Sequence, residues 1–271
     1  MARVKAQEIL EEEEYINKFL QGKCEEVMKK LPSESIDLIV TSPPYNLRNS
    51  TGNGMKDGRG GKWANAALLK GYAEAEFNDN MPHNEYVDWQ RRCISEMMRL
   101  LKPNGALFYN HKWRVQAGLL QDRADIVSDF PVRQIIIWKR KGGINFNKSY
   151  FLPTYEVIYL IAKKGFVLAK GANSHGDIWE FNQEQKNEHP APFPVALIER
   201  IISSTNAEII LDPFMGSGTT AIAARNLQRK FIGIELSVKY IELAKARLKG
   251  TKVMQDRGGT RKVQHSLFEV N

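Results

Sequence analysis

Two short segments carry residues whose types and spacing suit chemistry. In the first, Glu208-Ile-Ile-Leu-Asp212 is an apolar run ending in a carboxylate, and Pro213-Phe214-Met215-Gly216-Ser217-Gly218-Thr219-Thr220 leads it through two glycines into a helical pattern. Glycine lets the backbone approach a ligand closely, and the next apolar run ends in Glu235, placed to accept hydrogen bonds from ribose hydroxyls. This is the layout of a nucleotide-type site. A phosphate-binding loop is disfavoured because Thr219 stands where that loop needs lysine. Asp212 would repel a pyrophosphate but suits an ammonium or sulfonium centre. Gly216-Ser-Gly218-Thr-Thr-Ala221 also fits the dinucleotide pattern G-x-G-x-x-G/A, so a nicotinamide site and a purely structural turn stand as alternatives.

In the second segment, the apolar run Ile36 to Val40 leads into Thr41-Ser42-Pro43-Pro44-Tyr45-Asn46. Two prolines hold the backbone extended and leave carbonyls without a competing ladder, with a hydroxyl and an aromatic ring fixed beside them.

Such segments need strands to carry them. Candidate strands are Tyr15 to Gln21, Ile36 to Thr41, Ala106 to Asn110, Val132 to Trp138, Glu156 to Ile161, Glu208 to Asp212 and Phe231 to Glu235. Between them Glu85 to Leu101 has helical spacing, with Lys102-Pro103-Asn104-Gly105 as its stop, and Thr219 to Gln228 and Val238 to Leu248 are further helices. Seven strands with intervening helices predict one doubly wound α/β sheet, with ligands beyond the carboxyl ends of its strands. Two stretches break the rhythm. Residues 46–81 hold Gly52, Gly54, Gly58, Gly60 and Gly61 with little apolar periodicity and read as a mobile loop insertion. Residues 163–188 are polar with embedded aromatics and lead to His189-Pro190-Ala191-Pro192-Phe193-Pro194.

Ser42-Pro43-Pro44-Tyr45 together with Asp212 to Thr220 resembles the catalytic and S-adenosylmethionine motifs of the β-group DNA amino-methyltransferases, in which the catalytic motif precedes the cofactor motif. The resemblance spans roughly residues 15 to 250 and includes Leu101-Lys-Pro-Asn-Gly105 and the His189 to Pro194 segment. It implies a Rossmann-like, seven-stranded methyltransferase fold with circularly permuted motif order, in one catalytic domain over residues 1–271. It implies methyl transfer from S-adenosylmethionine to the exocyclic amino group of a base flipped out of duplex DNA. Ser42 and the Pro43 carbonyl would accept the two amino N–H bonds, Pro44 would hold the turn, and Tyr45 would stack on the base. Asp212, Phe214, Gly216 and Gly218 would surround the cofactor's methionine part, flanked by His189 and Pro190, with Ser217 also binding the cofactor, Thr219 and Thr220 at the helix start, and Glu235 on its ribose. Lys23 stands where the family often has an Asp for the adenine amino group. Ser at the first tetrad position favours N4 of cytosine, with N6 of adenine as the alternative. C5-cytosine chemistry needs a Pro-Cys nucleophile, whereas Cys24 follows Lys23 and Cys93 follows Arg92. A homodimer and a cognate restriction endonuclease of a restriction-modification pair are compatible with the resemblance.

Composition agrees. The 271 residues are 42% hydrophobic and 26% charged, with two cysteines and a net charge of +8, which fits a globular chain in a reducing, cytoplasmic setting. Mean hydropathy is −0.42 and no apolar stretch reaches 18 residues, so a membrane span is not expected. The charge is regional, with 15 basic against 5 acidic residues between 91 and 170. Within and near it, Lys139, Arg140, Lys141, Asn145, Asn147 and Lys148 suit phosphate contact, and Arg48 leaves the catalytic strand on the glycine-rich loop. By the order of parts in the family the chain resembles, residues 163–188 would be the target-recognition segment. A non-catalytic nucleic-acid-binding module is the remaining rival reading.

Overall fold

The computed structural model describes residues 9–46, 81–116, 119–141, 148–182 and 193–250. In chain order these form α1 (Glu12–Tyr15), β1 (Lys18–Gln21), α2 (Cys24–Met28), β2 (Ile36–Thr41), α3 (His83–Leu100), β3 (Leu101–His111), β4 (Arg114–Gln116), β5 (Leu119–Gln121), α4 (Ala124–Val127), β6 (Val132–Lys139), β7 (Tyr155–Ala162), β8 (Ile178–Glu180), α5 (Val195–Ser203), β9 (Ile209–Asp212), α6 (Thr219–Asn226), β10 (Lys230–Glu235) and α7 (Val238–Gly250).

The central strands are continuous apolar runs because both their faces are covered. In β3, Leu107 and Tyr109 join the core layer under α3 while Ala106 and Phe108 join the layer under α5 and α6. The same alternation puts Val157, Tyr159 and Ile161 of β7 on the α3 side and Ile158 and Leu160 on the other. Helix α3 buries Tyr86, Trp89, Cys93, Met97 and Leu100, a stripe at three- and four-residue intervals.

Eight strands form one sheet in the order β1-β10-β9-β2-β3-β7-β6-β8, and β4 and β5 form a separate antiparallel pair. Strand β7 runs against both β3 and β6, and the other pairings in the large sheet are parallel. All seven expected strands are present. The eighth, β8, pairs Ile178 with Ile137 and Trp179 with Trp138, so part of the segment expected to read DNA is built into the sheet edge. Three residues are too short a run for a period to be read from sequence.

Two boundaries differ from expectation. Tyr15 belongs to α1, not to β1, because Glu14 Oε2 accepts the Glu11 amide at 2.8 Å and starts a helical turn, and Asn17 then reverses the chain at φ 57°. The Lys102-Pro-Asn-Gly105 stop lies within β3, whose Leu101 already pairs with Ile36, and α3 begins at His83. Residues 47–80 of the expected loop insertion lie outside the described residues. At its two ends Asn46 Nδ2 donates to the Met81 carbonyl and Oδ1 accepts the Met81 amide, both at 2.8 Å.

The sheet order places the site. From β2 the chain crosses over by α3 to β3, and from β9 it crosses by α6 to β10 in the opposite direction along the sheet, so the two helices cover opposite faces. Strands β2 and β9 are neighbours, Ile39 opposite Leu211. The switch point that opens a crevice at the carboxyl ends of a parallel sheet therefore falls between the Ser42 segment and the Asp212 segment, which are far apart in sequence.

Candidate active site

At the end of β9, Asp212 is 3% exposed and accepts three hydrogen bonds. Thr41 Oγ1 donates to Oδ1 at 2.8 Å, Thr220 Oγ1 to Oδ2 at 2.7 Å, and the Phe214 amide to Oδ1 at 3.1 Å. Burial nevertheless prevails over these three donors and pushes its carboxyl up to about 6. The Thr41 bond ties the residue preceding the Ser42 tetrad to the start of the glycine turn.

Glycines 216 and 218 have φ of 53° and 80°, the left-handed region that side chains with a Cβ rarely adopt. Their uses differ. The Gly216 amide donates to Glu235 Oε2 at 2.8 Å, so the turn and the end of β10 are joined. Glu235 also accepts the Ser237 amide at 2.9 Å, and burial raises its carboxyl above the ordinary value. Gly218, by contrast, is small for its own protein: a Cβ there would stand 2.7 Å from Ala244 Cβ of α7. The expectation that both glycines admit a ligand holds no place for that contact, which only the packing of α7 reveals.

Ser217 and Thr219 are held from α7. Arg247 Nη1 donates to the Ser217 carbonyl at 2.7 Å, to Ser217 Oγ at 2.8 Å and to Thr219 Oγ1 at 3.3 Å. Phe214 packs edge-on against Trp89 of α3, ring centroids 5.7 Å apart. Lys23, after β1, is exposed and lies 3.6 Å from Glu26.

The tetrad after β2 is held by partners from one helix and two strands, α3, β3 and β7. Tyr86 of α3 donates its hydroxyl proton to the Pro44 carbonyl at 2.7 Å or to His111 Nε2 at the same distance. The Tyr45 ring lies 5.0 Å from the His111 ring, and the residue is 6% exposed. Its hydroxyl is 2.5 Å from Ser42 Oγ, 2.7 Å from Asn110 Nδ2 and 3.1 Å from Glu156 Oε2. Asn110 and Glu156 are themselves joined at 2.8 Å, and Arg140 Nη1 stands 3.5 Å from Glu156 Oε1.

Sequence reasoning missed Thr41, Asn110, Glu156 and Arg247. Thr41 and Asn110 end parallel strands, and the carboxyl-end rule alone points to them. Glu156 begins β7, and it reaches the same sheet edge only because that strand is reversed, which no local pattern encodes.

Of the residues expected to meet DNA, Arg140 instead turns inward to Glu156, its side chain 13% exposed. Lys139 and Lys141 both face Glu180 of β8, at 3.0 and 3.3 Å, and hydrogen bonds from the two lysines hold that carboxyl below its usual range. Lys148 is exposed. Arg48, Asn145, Asn147, His189 and Pro190 lie outside the described residues. Cys24 and Cys93 are buried core residues with sulfurs 3.7 Å apart. None of the helices among the described residues is long and apolar enough to cross a membrane.

Comparison with known proteins follows the same division of parts. The chain is 30% identical over 282 aligned residues to the type II methyltransferase M.BglII of Bacillus subtilis, covering 88% of this chain and 70% of that one. Among solved structures it is similar to TTHA0409 of Thermus thermophilus complexed with S-adenosyl-L-methionine, at 26% identity and TM-score 0.62 over 86% of this chain and 93% of the other. It shares the fold of the PvuII DNA methyltransferase (cytosine-N4-specific), with TM-score 0.67 and 19% identity over 85% of each. The family model described as a DNA methylase, N6_N4_Mtase, matches residues 36–246, from the first residue of β2 into α7. That span holds both the tetrad and the glycine turn, and the chain belongs to this N6/N4 DNA methylase family.

Proposed function

We propose that this chain is one catalytic domain that transfers a methyl group from S-adenosylmethionine to the N4 amino group of a cytosine flipped out of duplex DNA. The observation that carries the reading is the Thr41–Asp212 hydrogen bond, which fixes the amino-binding tetrad beside the cofactor turn. The donor set fits the cofactor. Buried Asp212 and partly buried Glu235 end adjacent parallel strands with a left-handed glycine turn between them. Asp212 suits the ammonium of the methionine part, and Glu235 the ribose hydroxyls. When bound, S-adenosylmethionine supplies an electrophilic methyl on a sulfonium sulfur.

An exocyclic amino nitrogen is a poor nucleophile because its lone pair is delocalised into the ring. Ser42 Oγ and the Pro43 carbonyl accept its two N–H bonds, draw it toward tetrahedral geometry and point the lone pair at the methyl. With the cofactor bound, a new N–C bond would form as the C–S bond breaks, the sulfur would leave as the neutral thioether of S-adenosylhomocysteine, and the proton lost from the nitrogen would pass to solvent. Pro44, tied by Tyr86, holds the turn that presents the Tyr45 ring to the base, and His111 backs that ring. Serine at position 42 supports cytosine over adenine. The type II naming of relatives supports a cognate restriction endonuclease as partner in the cytoplasm, and a homodimer belongs to the same reading.

The test is to incubate the protein with labelled cofactor and mixed-sequence duplex DNA, digest to nucleosides and identify the product. N4-methylcytosine is expected. N6-methyladenine alone overturns the base assignment, and 5-methylcytosine overturns the mechanism.

A second expectation concerns DNA affinity. Replacing Lys139 and Lys141 by alanine should weaken binding to all sequences alike and reduce the slope of log K against log salt by about 2, since each phosphate contact contributes about 0.9. Filter binding over a salt series measures it. An unchanged slope removes these lysines from the interface.

A further inference from the structure

We infer that Glu156 is a positioning residue that fixes the direction of the hydroxyl chain and so makes Ser42 a hydrogen-bond acceptor toward the substrate amino group. The inference deepens the proposed function and rests on it. It follows from counting protons in a buried cluster. Glu156 is 6% exposed, and an ionised carboxylate only accepts hydrogen bonds. Arg140 Nη1, 3.5 Å from Oε1, opposes its charge. Oε2 receives Asn110 Nδ2 at 2.8 Å and the Tyr45 hydroxyl at 3.1 Å.

Each donor is thereby oriented. The Asn110 amide must turn its NH2 end to the carboxylate, and its second hydrogen then reaches Tyr45 Oη at 2.7 Å. Tyr45 has spent its single proton on Glu156. Its 2.5 Å contact with Ser42 Oγ must therefore run from Ser42 to Tyr45. Ser42 in turn has spent its own proton inward, and what remains on Oγ is lone pairs. The remaining contact to Oγ, from Asn110 Nδ2 at 3.4 Å, is long, and both hydrogens of that nitrogen are committed to shorter bonds. An amino group arriving from a flipped base needs an acceptor, and a serine that offered its proton would repel the N–H directed at it, leaving only the Pro43 carbonyl to accept. Without the charge of Glu156 the Ser42–Tyr45 pair has no preferred direction.

The experiment compares Glu156→Gln, Tyr45→Phe and their double variant in the full chain, measuring kcat, KM for duplex DNA and Kd for S-adenosylmethionine. Glutamine keeps the shape of Glu156 but offers a donor. Phenylalanine keeps the ring of Tyr45 but breaks the chain in its middle. Each single change should lower kcat 10- to 100-fold with KM and cofactor Kd within twofold. Because both act through the same chain of hydrogen bonds, the double variant should lose no more than the worse single one. A merely structural role makes the losses multiply and carries KM with them. Should Glu156→Gln fail to fold, Tyr45→Phe alone decides, since it leaves Glu156 paired with Arg140. A normal kcat in either single variant, or multiplying losses, overturns the inference while the proposed function stands. A wild-type protein that methylates no DNA overturns both.

Discussion

Replacing Asp212 by asparagine is expected to cost the protein about a hundredfold in cofactor affinity while making the polypeptide more resistant to heat above pH 6. The two effects have one cause. Burial raises the Asp212 carboxyl from 3.8 to about 6 in the folded protein. A folded-state value above the unfolded one means that the folded protein binds the proton more tightly. Its stabilising contribution is complete below pH 3.8 and is lost as pH rises through 6. At pH 8 the charge is present in both states, and holding it in the fold costs up to about 3 kcal/mol. Asparagine has the shape of the protonated acid and avoids that cost, at the loss of one acceptor worth about 1 kcal/mol. Melting at pH 8 should rise by several degrees, and the difference should vanish between about pH 4 and 5. The same charge is what a cationic ligand recognises, so calorimetry should show wild-type cofactor binding weakening as pH falls through 6, and Asp212→Asn should bind weakly throughout. A lower melting temperature for the variant at pH 8 contradicts the account.

Gly218→Ala should be the most damaging small change in the turn. Its φ of 80° costs a residue with a Cβ about 1 kcal/mol. The added carbon meets Ala244 Cβ at 2.7 Å and Ala244 Cα at 3.2 Å, and helix α7 must retreat. Overpacking of that kind costs about 2 kcal/mol, for a total of about 3 kcal/mol, on the order of 10 °C in melting temperature. The diagnosis has a specific check. Ala244→Gly removes one side of the collision, so adding it to Gly218→Ala should recover part of the loss even though glycine inside a helix costs about 1 kcal/mol by itself. Losses that simply add in the double variant would show that the turn's backbone conformation alone sets the cost.

The sequence disclosed most where one kind of information sufficed. Continuous apolar runs located all seven expected strands, since a strand covered on both faces needs no partner to be recognised. Tyr45 and Asp212 were legible because they sit in motifs of fixed spacing, one on each side of the switch point. What was illegible depends on strand direction and on helix packing. Glu156 reaches Tyr45 only through the reversal of β7. Arg247 grips Ser217 and Thr219 from a helix that follows them by a whole β-strand. Arg140 reads as a surface cation in a basic run, and it faces inward because a buried carboxylate awaits it across the strand pair β6–β7. Each of these is a long-range pairing between residues whose own neighbourhoods give no sign of it.

The hydrogen bond from Thr41 to Asp212 makes the two ends of the site a single thermodynamic object. On the proposed function, a cofactor that settles the Asp212 carboxylate would also settle the backbone one residue from Ser42, and a base held at Ser42 would bear back on Asp212 through the same hydroxyl. Free energy passed across such a contact is reciprocal: the factor by which cofactor tightens DNA is the factor by which DNA tightens cofactor. A chain that carries its two half-sites some 170 residues apart thus needs only one threonine to make them answer to each other.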